Sequence, residues 1–179
     1  LPIAVSNFYL DNPAQFSPEL KKLKLDEKIS AVIKNNLTRS GLFNIIDPKS
    51  YIQSPKIAHL KPRFEDWALI KSQVMVSGKL LIDSKKRLRV EFRLWDVVAA
   101  KEIEGLALFA TPESWRRIAH IISDKIYERL TGESGYFDTR IIYVAETGSK
   151  EQRVKRLAIM DQDGSNNKYL TLGNELVLT

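Results

Sequence analysis

The 179-residue sequence has no cysteine, only two histidines, and eight glycines that never cluster. Without cysteine there is no disulfide, no thiolate metal site and no cysteine nucleophile; the compartment stays open, since such a chain tolerates oxidising and reducing surroundings alike. His59 and His120 are the whole supply of imidazoles. His59 stands in a proline-bearing loop. His120 lies among apolar neighbours of a helix, where a half-buried structural histidine is the favoured reading and a hydrolytic Ser–His pair the competing one. No G-x-S-x-G elbow is present, and no G-x-G-x-x-G or other glycine-rich phosphate loop. No apolar run approaches the roughly eighteen residues that span a bilayer, so no membrane insertion is expected. The opening "LPIAVSNFYL" also lacks a charged segment followed by an apolar stretch, and the expectation for an exported chain is that its leader is already gone. No catalytic, cofactor-binding or metal-binding residue is assigned, and no cofactor is expected.

One oxygen-rich stretch tests the metal question. "DQDGSNN" (161–167) has ligand-type residues at alternate positions, as an EF-hand loop begins, but the closing glutamate belongs at position 172, which is Leu172. Asx residues with glycine also build tight strand connections without an ion. A turn is the expectation.

What is present is basic charge, unevenly placed. Residues 138–179 hold six basic and six acidic groups, so residues 1–137 carry 22 of the 28 lysines and arginines but 16 of the 22 carboxylates. That imbalance admits acidic proteins, phosphate backbones or anionic surfaces as partners, besides an ordinary solvated surface. The clusters "KKLKLDEK" (21–28) and "KKRLRVEFR" (85–93) carry much of it. Sheet-surface nucleic-acid readers interleave aromatics with basic residues, and here Phe92 falls on the apolar side of its strand. The charged side is expected to offer no stacking platform, which counts against a nucleic-acid-binding module.

Periodicity supplies the elements. "LPIAVSNFYL" reads as a strand alternating around Ile3 and Val5. A polar loop with Pro13 and Pro18 follows. Leu25, Ile29, Val32, Ile33 and Leu37 form one helical stripe that closes at Gly41. "FNIID" (43–47) is a short strand, 48–63 a proline-rich loop, and Asp66 is expected to cap a short helix through Trp67 and Ile70. Residues 73–83 read as a strand. "RLRVEFRL" alternates strictly, with Leu88, Val90, Phe92 and Leu94 on one side and charges on the other, which predicts a sheet covered on one side only. Residues 102–110 complete a hairpin. Thr111 and Pro112 open the strongest helix, whose stripe is Trp115, Ile118, Ala119, Ile122, Ile126 and Leu130, with Gly132 as its stop.

The order β, α, β, (α), β, β, β, α predicts an α/β (α+β two-layer) domain over residues 1–135, a mixed sheet with two long helices on one face. "GESGYFD" (132–138) marks a boundary. Beyond it, 139–146 and 154–161 read as a hairpin, with a third strand near 168–172. Nothing assembles into an active site, and an interaction protein is expected.

The "ERLTG" helix end followed by "GYFDTRIIYVAET" and "MDQDGSNN", together with "SGLFNIID" and a tryptophan helix leading into "VMVSGKL", resembles the TolB family of the periplasmic Tol–Pal envelope system. The similarity runs in order along the whole chain. It implies an amino-terminal domain similar to anticodon-binding domains of some synthetases, followed by a six-bladed β-propeller, of which residues 136–179 would be the first strands of a truncated blade with more blades following. Ile141, Ile142, Val144, Leu157 and Ile159 would then pack between blades. The resemblance further implies a non-enzymatic adaptor between the inner-membrane TolA complex and the lipoprotein Pal, supporting outer-membrane integrity and constriction at division and exploited by some bacteriocins. The family's main contact surfaces would lie outside this stretch, so no partner-binding residue is carried over and the oligomeric state is left open.

Overall fold

The computed structural model describes residues 1–173. The chain divides into two compact units, Leu1–Gly135 and Tyr136–Thr179.

The first unit is built on a mixed sheet. Its strands are β1 (Pro2–Val5), β2 (Tyr9–Leu10), β3 (Asn44–Ile45), β4 (Val74–Ile82), β5 (Leu88–Asp96) and β6 (Lys101–Ala110). The order is β3-β1-β4-β5-β6, with β2 also on β4. β1 runs parallel to β3 and β4, and β2 runs parallel to β4; the β4–β5–β6 meander is antiparallel. The expected single opening strand is therefore two. Ser6 still donates its amide to the Val76 carbonyl (2.9 Å), but Phe8 turns away to donate to the Asp26 carbonyl (3.3 Å). Ile3, Ala4 and Val5 are all fully buried. Burial of consecutive strand residues means cover on both faces, because side chains alternate sides along a strand.

Five helices are described: α1 (Pro18–Lys22), α2 (Leu25–Arg39), α3 (Pro55–Leu60), α4 (Phe64–Leu69) and α5 (Trp115–Thr131). α2 and α5 are the two long amphipathic helices expected. α2 buries Leu25, Ile29, Val32, Ile33 and Leu37; α5 buries Ile118, Ala119, Ile122 and Ile126. Thr111 and Pro112 open a short 3-10 turn, Pro112–Ser114, that feeds α5, and the chain leaves α5 through Gly132 at φ 80°. Phe8 shows which side of the sheet α2 covers. Its amide is tied to α2, and its ring lies so close to Gly78 on β4 that any side chain there would collide with it. Val76, Gly78 and Leu80 share that side with Leu94, Phe92 and Val90, their partners across β5.

The opposite side is also covered near β1 and β4, which corrects the expectation of a sheet packed on one face. Residues 48–63, expected to be loop, contain a 3-10 turn at Pro48–Ser50 and helix α3. The next helix, α4, starts from Arg63, with Asp66 inside its first turn rather than at its cap. These short helices close a second core of Ala4, Ala58, Trp67, Met75, Trp95 and Val97, with Ile46, Tyr51, Phe64 and Ile70 packed around it. The physical reason is composition. Met75 and Trp95 are register partners on the side opposite Val76 and Leu94, and two large apolar groups cannot be left in water without losing about 1.5–3 kcal/mol each. The Tyr51 hydroxyl closes this core's rim, accepting from the Val5 amide (3.0 Å) and donating to the Ile46 carbonyl (2.9 Å). Towards β6 the same side is open.

The second unit is a three-stranded antiparallel sheet in the order β7 (Arg140–Thr147), β8 (Val154–Asp161), β9 (Lys168–Tyr169). β9 is shorter than the expected 168–172. The Leu170 amide still donates to the Leu157 carbonyl (2.7 Å), but the next bond of the ladder is made by a side chain, the Thr171 hydroxyl accepting from the Leu157 amide (2.9 Å). Residues 174–179 lie outside the described residues.

Candidate interaction surfaces

Both histidines are buried. His120 on α5 is 2% exposed. The Asn36 amide nitrogen on α2 reaches its Nδ1 (2.9 Å) and also donates to the Ser123 hydroxyl (3.0 Å), which in turn donates to the Ala119 carbonyl (2.8 Å). The one serine beside His120 in this network therefore has its proton committed to the backbone. Buried polar groups bonded in this way fix how two helices register and do not present a nucleophile. The pair expected as the hydrolytic candidate is a rivet between α2 and α5.

His59 is not on a loop but on α3, fully buried against the sheet. Its Nδ1 lies 3.3 Å from the Ser77 hydroxyl oxygen, which accepts from the Trp95 indole nitrogen (2.9 Å). Arg93 donates to the His59 backbone carbonyl (3.2 Å), and the Tyr9 ring meets the imidazole edge-on at 5.8 Å. Burial lowers the His59 pKa from 6.5 to about 4, assisted by the positive charges of Arg93 and Lys79 and opposed by Glu91. Neutral and enclosed, His59 pins α3 to β4. Sequence reasoning missed this contact because eighteen residues and a helix of only six separate the partners.

The open part of the sheet carries charged residues of β5 and of the adjoining β4 and 83–87 turn. Nearly all are matched in pairs: Arg87 with Asp83 (2.8 Å), Arg89 with Glu91 (2.6 Å), Lys79 with both Asp11 (3.2 Å) and Glu91 (3.5 Å), Arg93 with Glu102 (3.6 Å). The expectation that the charged side offers no stacking platform needs amending. Phe92 is buried on the other side as read, but Phe109 of β6 sits opposite Arg89 in the register, half exposed, with the Arg87 and Arg89 guanidinium carbons 4.9 and 5.4 Å from its ring centre. A single-strand reading could not see it, because the aromatic is supplied by the neighbouring strand.

In the second unit the "DQDG" stretch forms a turn, as expected. Gly164 (φ 85°) donates to the Asp161 carbonyl (2.9 Å), Ser165 donates its amide to the Asp163 carboxylate (3.0 Å), and the Asp161 amide donates to the Ser165 carbonyl (2.8 Å). The sheet that it joins is apolar on both sides. Ile142 and Val144 face Ile159 and Leu157 across the ladder, while Ile141 and Tyr143 face Met160 and Ala158 on the reverse. Ile142 is 61% exposed and Ile141, Tyr169, Leu170 and Leu172 are exposed as well. Free-standing sheets turn polar residues to water; this one has none to spare on either side of its centre.

Among the described residues no helix is long and apolar enough to cross a membrane. Residues 1–103 match the model of the TolB amino-terminal domain. The chain is 61% identical, over its full length, to the Tol-Pal system protein TolB of Pelagibacter ubique (strain HTCC1062), of which it spans 40%. It is 49% identical over its full length to the Tol-Pal system protein TolB of Paramagnetospirillum magneticum (strain ATCC 700264 / AMB-1), of which it spans 38%. The crystal structure of TolB from Acinetobacter baumannii superposes with a TM-score of 0.74 at 24% identity, over 95% of this chain and 38% of that one, a likeness of fold. This chain thus spans about two fifths of the length of the relatives it matches, and it belongs to the TolB amino-terminal domain family.

Proposed function

We propose that this chain is part of a non-enzymatic periplasmic adaptor of the Tol–Pal system, one that links the inner-membrane Tol complex, through TolA, to the outer-membrane lipoprotein Pal. In that role it supports outer-membrane integrity and invagination during division. The observation that carries the reading is identity of 61% and 49% along the whole chain to two proteins named for that system. The geometry is in keeping with it: both histidines are enclosed and hydrogen-bonded into the scaffold, so what the first unit offers to partners is surface. Residues 1–135 serve as the amino-terminal domain, with the likeness to anticodon-binding domains as part of the same reading. Residues 136–179 are the first strands of a propeller blade. A sheet apolar on both sides supports that assignment, because a blade is stabilised mainly by the neighbours stacked on its two faces. The test is a pull-down of the full-length parent protein with Pal. Recovery of a complex is the expected result, and its absence contradicts the reading.

Phe109 between two arginines keeps a second reading in view, a nucleic-acid-binding module. The pairing of Arg87 and Arg89 with Asp83 and Glu91 argues against it, since those guanidinium groups are already neutralised. A low-salt gel shift with single-stranded RNA decides: a retarded band that fades steeply with salt supports nucleic-acid binding, and no band removes it.

A further inference from the structure

The outward side of α3 is apolar where a solvent-facing helix would be polar. Ala58 packs in the second core and His59 is buried against β4, yet Ile57 is 49% and Leu60 52% exposed. With Pro62 they line an open groove of about 460 Å³, whose rim is Lys56, Lys61 and Arg63. Arg63 is engaged by Asp66 at 2.6 Å. Among the described residues Lys56 and Lys61 are exposed and enter no ion pair.

The groove is also held rigid. Gln53 brackets the far end of the segment, its amide nitrogen donating to the Arg63 carbonyl (2.7 Å) while its carbonyl accepts from the Arg63 amide (3.2 Å). His59 against Ser77, and Arg93 on the His59 carbonyl, fasten the middle to the sheet. A site fixed in this way loses little conformational freedom when occupied.

We propose that the α3 groove is a docking site for an acidic peptide segment of a partner protein, which seats apolar side chains on Ile57 and Leu60 and sets carboxylates beside Lys56 and Lys61. Charge complementarity selects this occupant: two unpaired lysines flank an apolar floor, in the unit that carries the chain's whole basic excess. A membrane surface fits less well, because the apolar residues line a concavity on a helix of six residues and not a protruding amphipathic face. The inference does not depend on the Tol–Pal reading.

The test selects a displayed library of random short peptides on the 179-residue chain and measures the enriched sequences by fluorescence anisotropy. Acidic peptides with spaced apolar anchors are expected. Leu60→Asp should weaken them by more than about tenfold with thermal unfolding unchanged, since anchors at an interface centre carry most of the affinity. The double variant Lys56→Glu/Lys61→Glu should slow association and flatten its salt dependence, a readout that does not rely on Leu60. The proposal is overturned if no peptide is enriched, if enriched peptides lack acidic character, or if they bind both variants as well as the parent. It is equally overturned if Leu60→Asp instead abolishes co-sedimentation with phosphatidylglycerol vesicles, or concentration-dependent self-association, which assign the groove to lipid or to a second copy.

Discussion

Leu1–Gly135 and Tyr136–Thr179 are made from similar residues and satisfy them differently. In the first unit the apolar residues of β1, β4 and β5 find cover within the unit itself. Val76, Leu80, Val90 and Phe92 are buried on the side of the sheet where Phe8 and α2 pack, and α3 and α4, the latter carrying Trp67, close over Met75 and Trp95. In the second, Ala158 is the one fully buried apolar residue of the β7–β9 sheet among the described residues, while Ile141, Ile142, Leu170 and Leu172 remain exposed. Hydrophobicity alone does not make a core. A sheet needs a second layer from its own chain or from a neighbour, and among the described residues only the first unit contains one.

The largest expected effect follows from the second core. Trp67→Ala removes its central ring, which is 1% exposed and meets Tyr51 at 5.1 Å. A loss of about 3–5 kcal/mol is expected in denaturant unfolding. A loss below about 1 kcal/mol would mean that α3 and α4 are a loose flap, and the contrast between the units would weaken.

His59 gives the next effect. Its folded pKa of about 4 lies below the ordinary 6.5, so between those values the unfolded chain binds the extra proton. The stabilisation is complete above pH 6.5 and is lost as pH falls through 4, amounting to about 3 kcal/mol. Unfolding free energies of the parent and His59→Gln, measured from pH 7 to 4, should converge by that amount. Parallel curves would show that His59 is not held neutral in the fold.

The smallest effect is expected in the second unit. Ile142→Ser should change the stability of this chain by less than about 0.5 kcal/mol, because the side chain is 61% exposed. In a full-length parent, where a neighbouring blade would cover Ile142, the same change should cost about 2 kcal/mol. Equal small effects in both would remove the blade assignment.

Long regular patterns made much of the first unit legible in advance. The stripe from Leu25 to Leu37, the stripe from Ile118 to Ile126 and the alternation from Leu88 to Leu94 each repeat often enough to fix an element and its buried side. What escaped was short or shared between strands. α1 and α3 each begin at a proline, Pro18 and Pro55, and last five and six residues, too few for a period of 3.6 to register, so proline was read as loop rather than as the first helical position. With α3 unseen, the role of His59, the cover over Met75 and the groove at Ile57 and Leu60 were hidden too. Phe109 escaped because strand register, not sequence distance, places it beside Arg89.

The most direct measurement is thermal unfolding of a polypeptide ending at Gly135, set beside the 179-residue chain and a peptide covering 136–179. A cooperative transition is expected for 1–135 within about 2 °C of the longer chain, and none for the isolated peptide. A midpoint several degrees lower for 1–135, or cooperative melting of 136–179 by itself, would contradict the claim that the first unit holds a complete core of its own and the second does not.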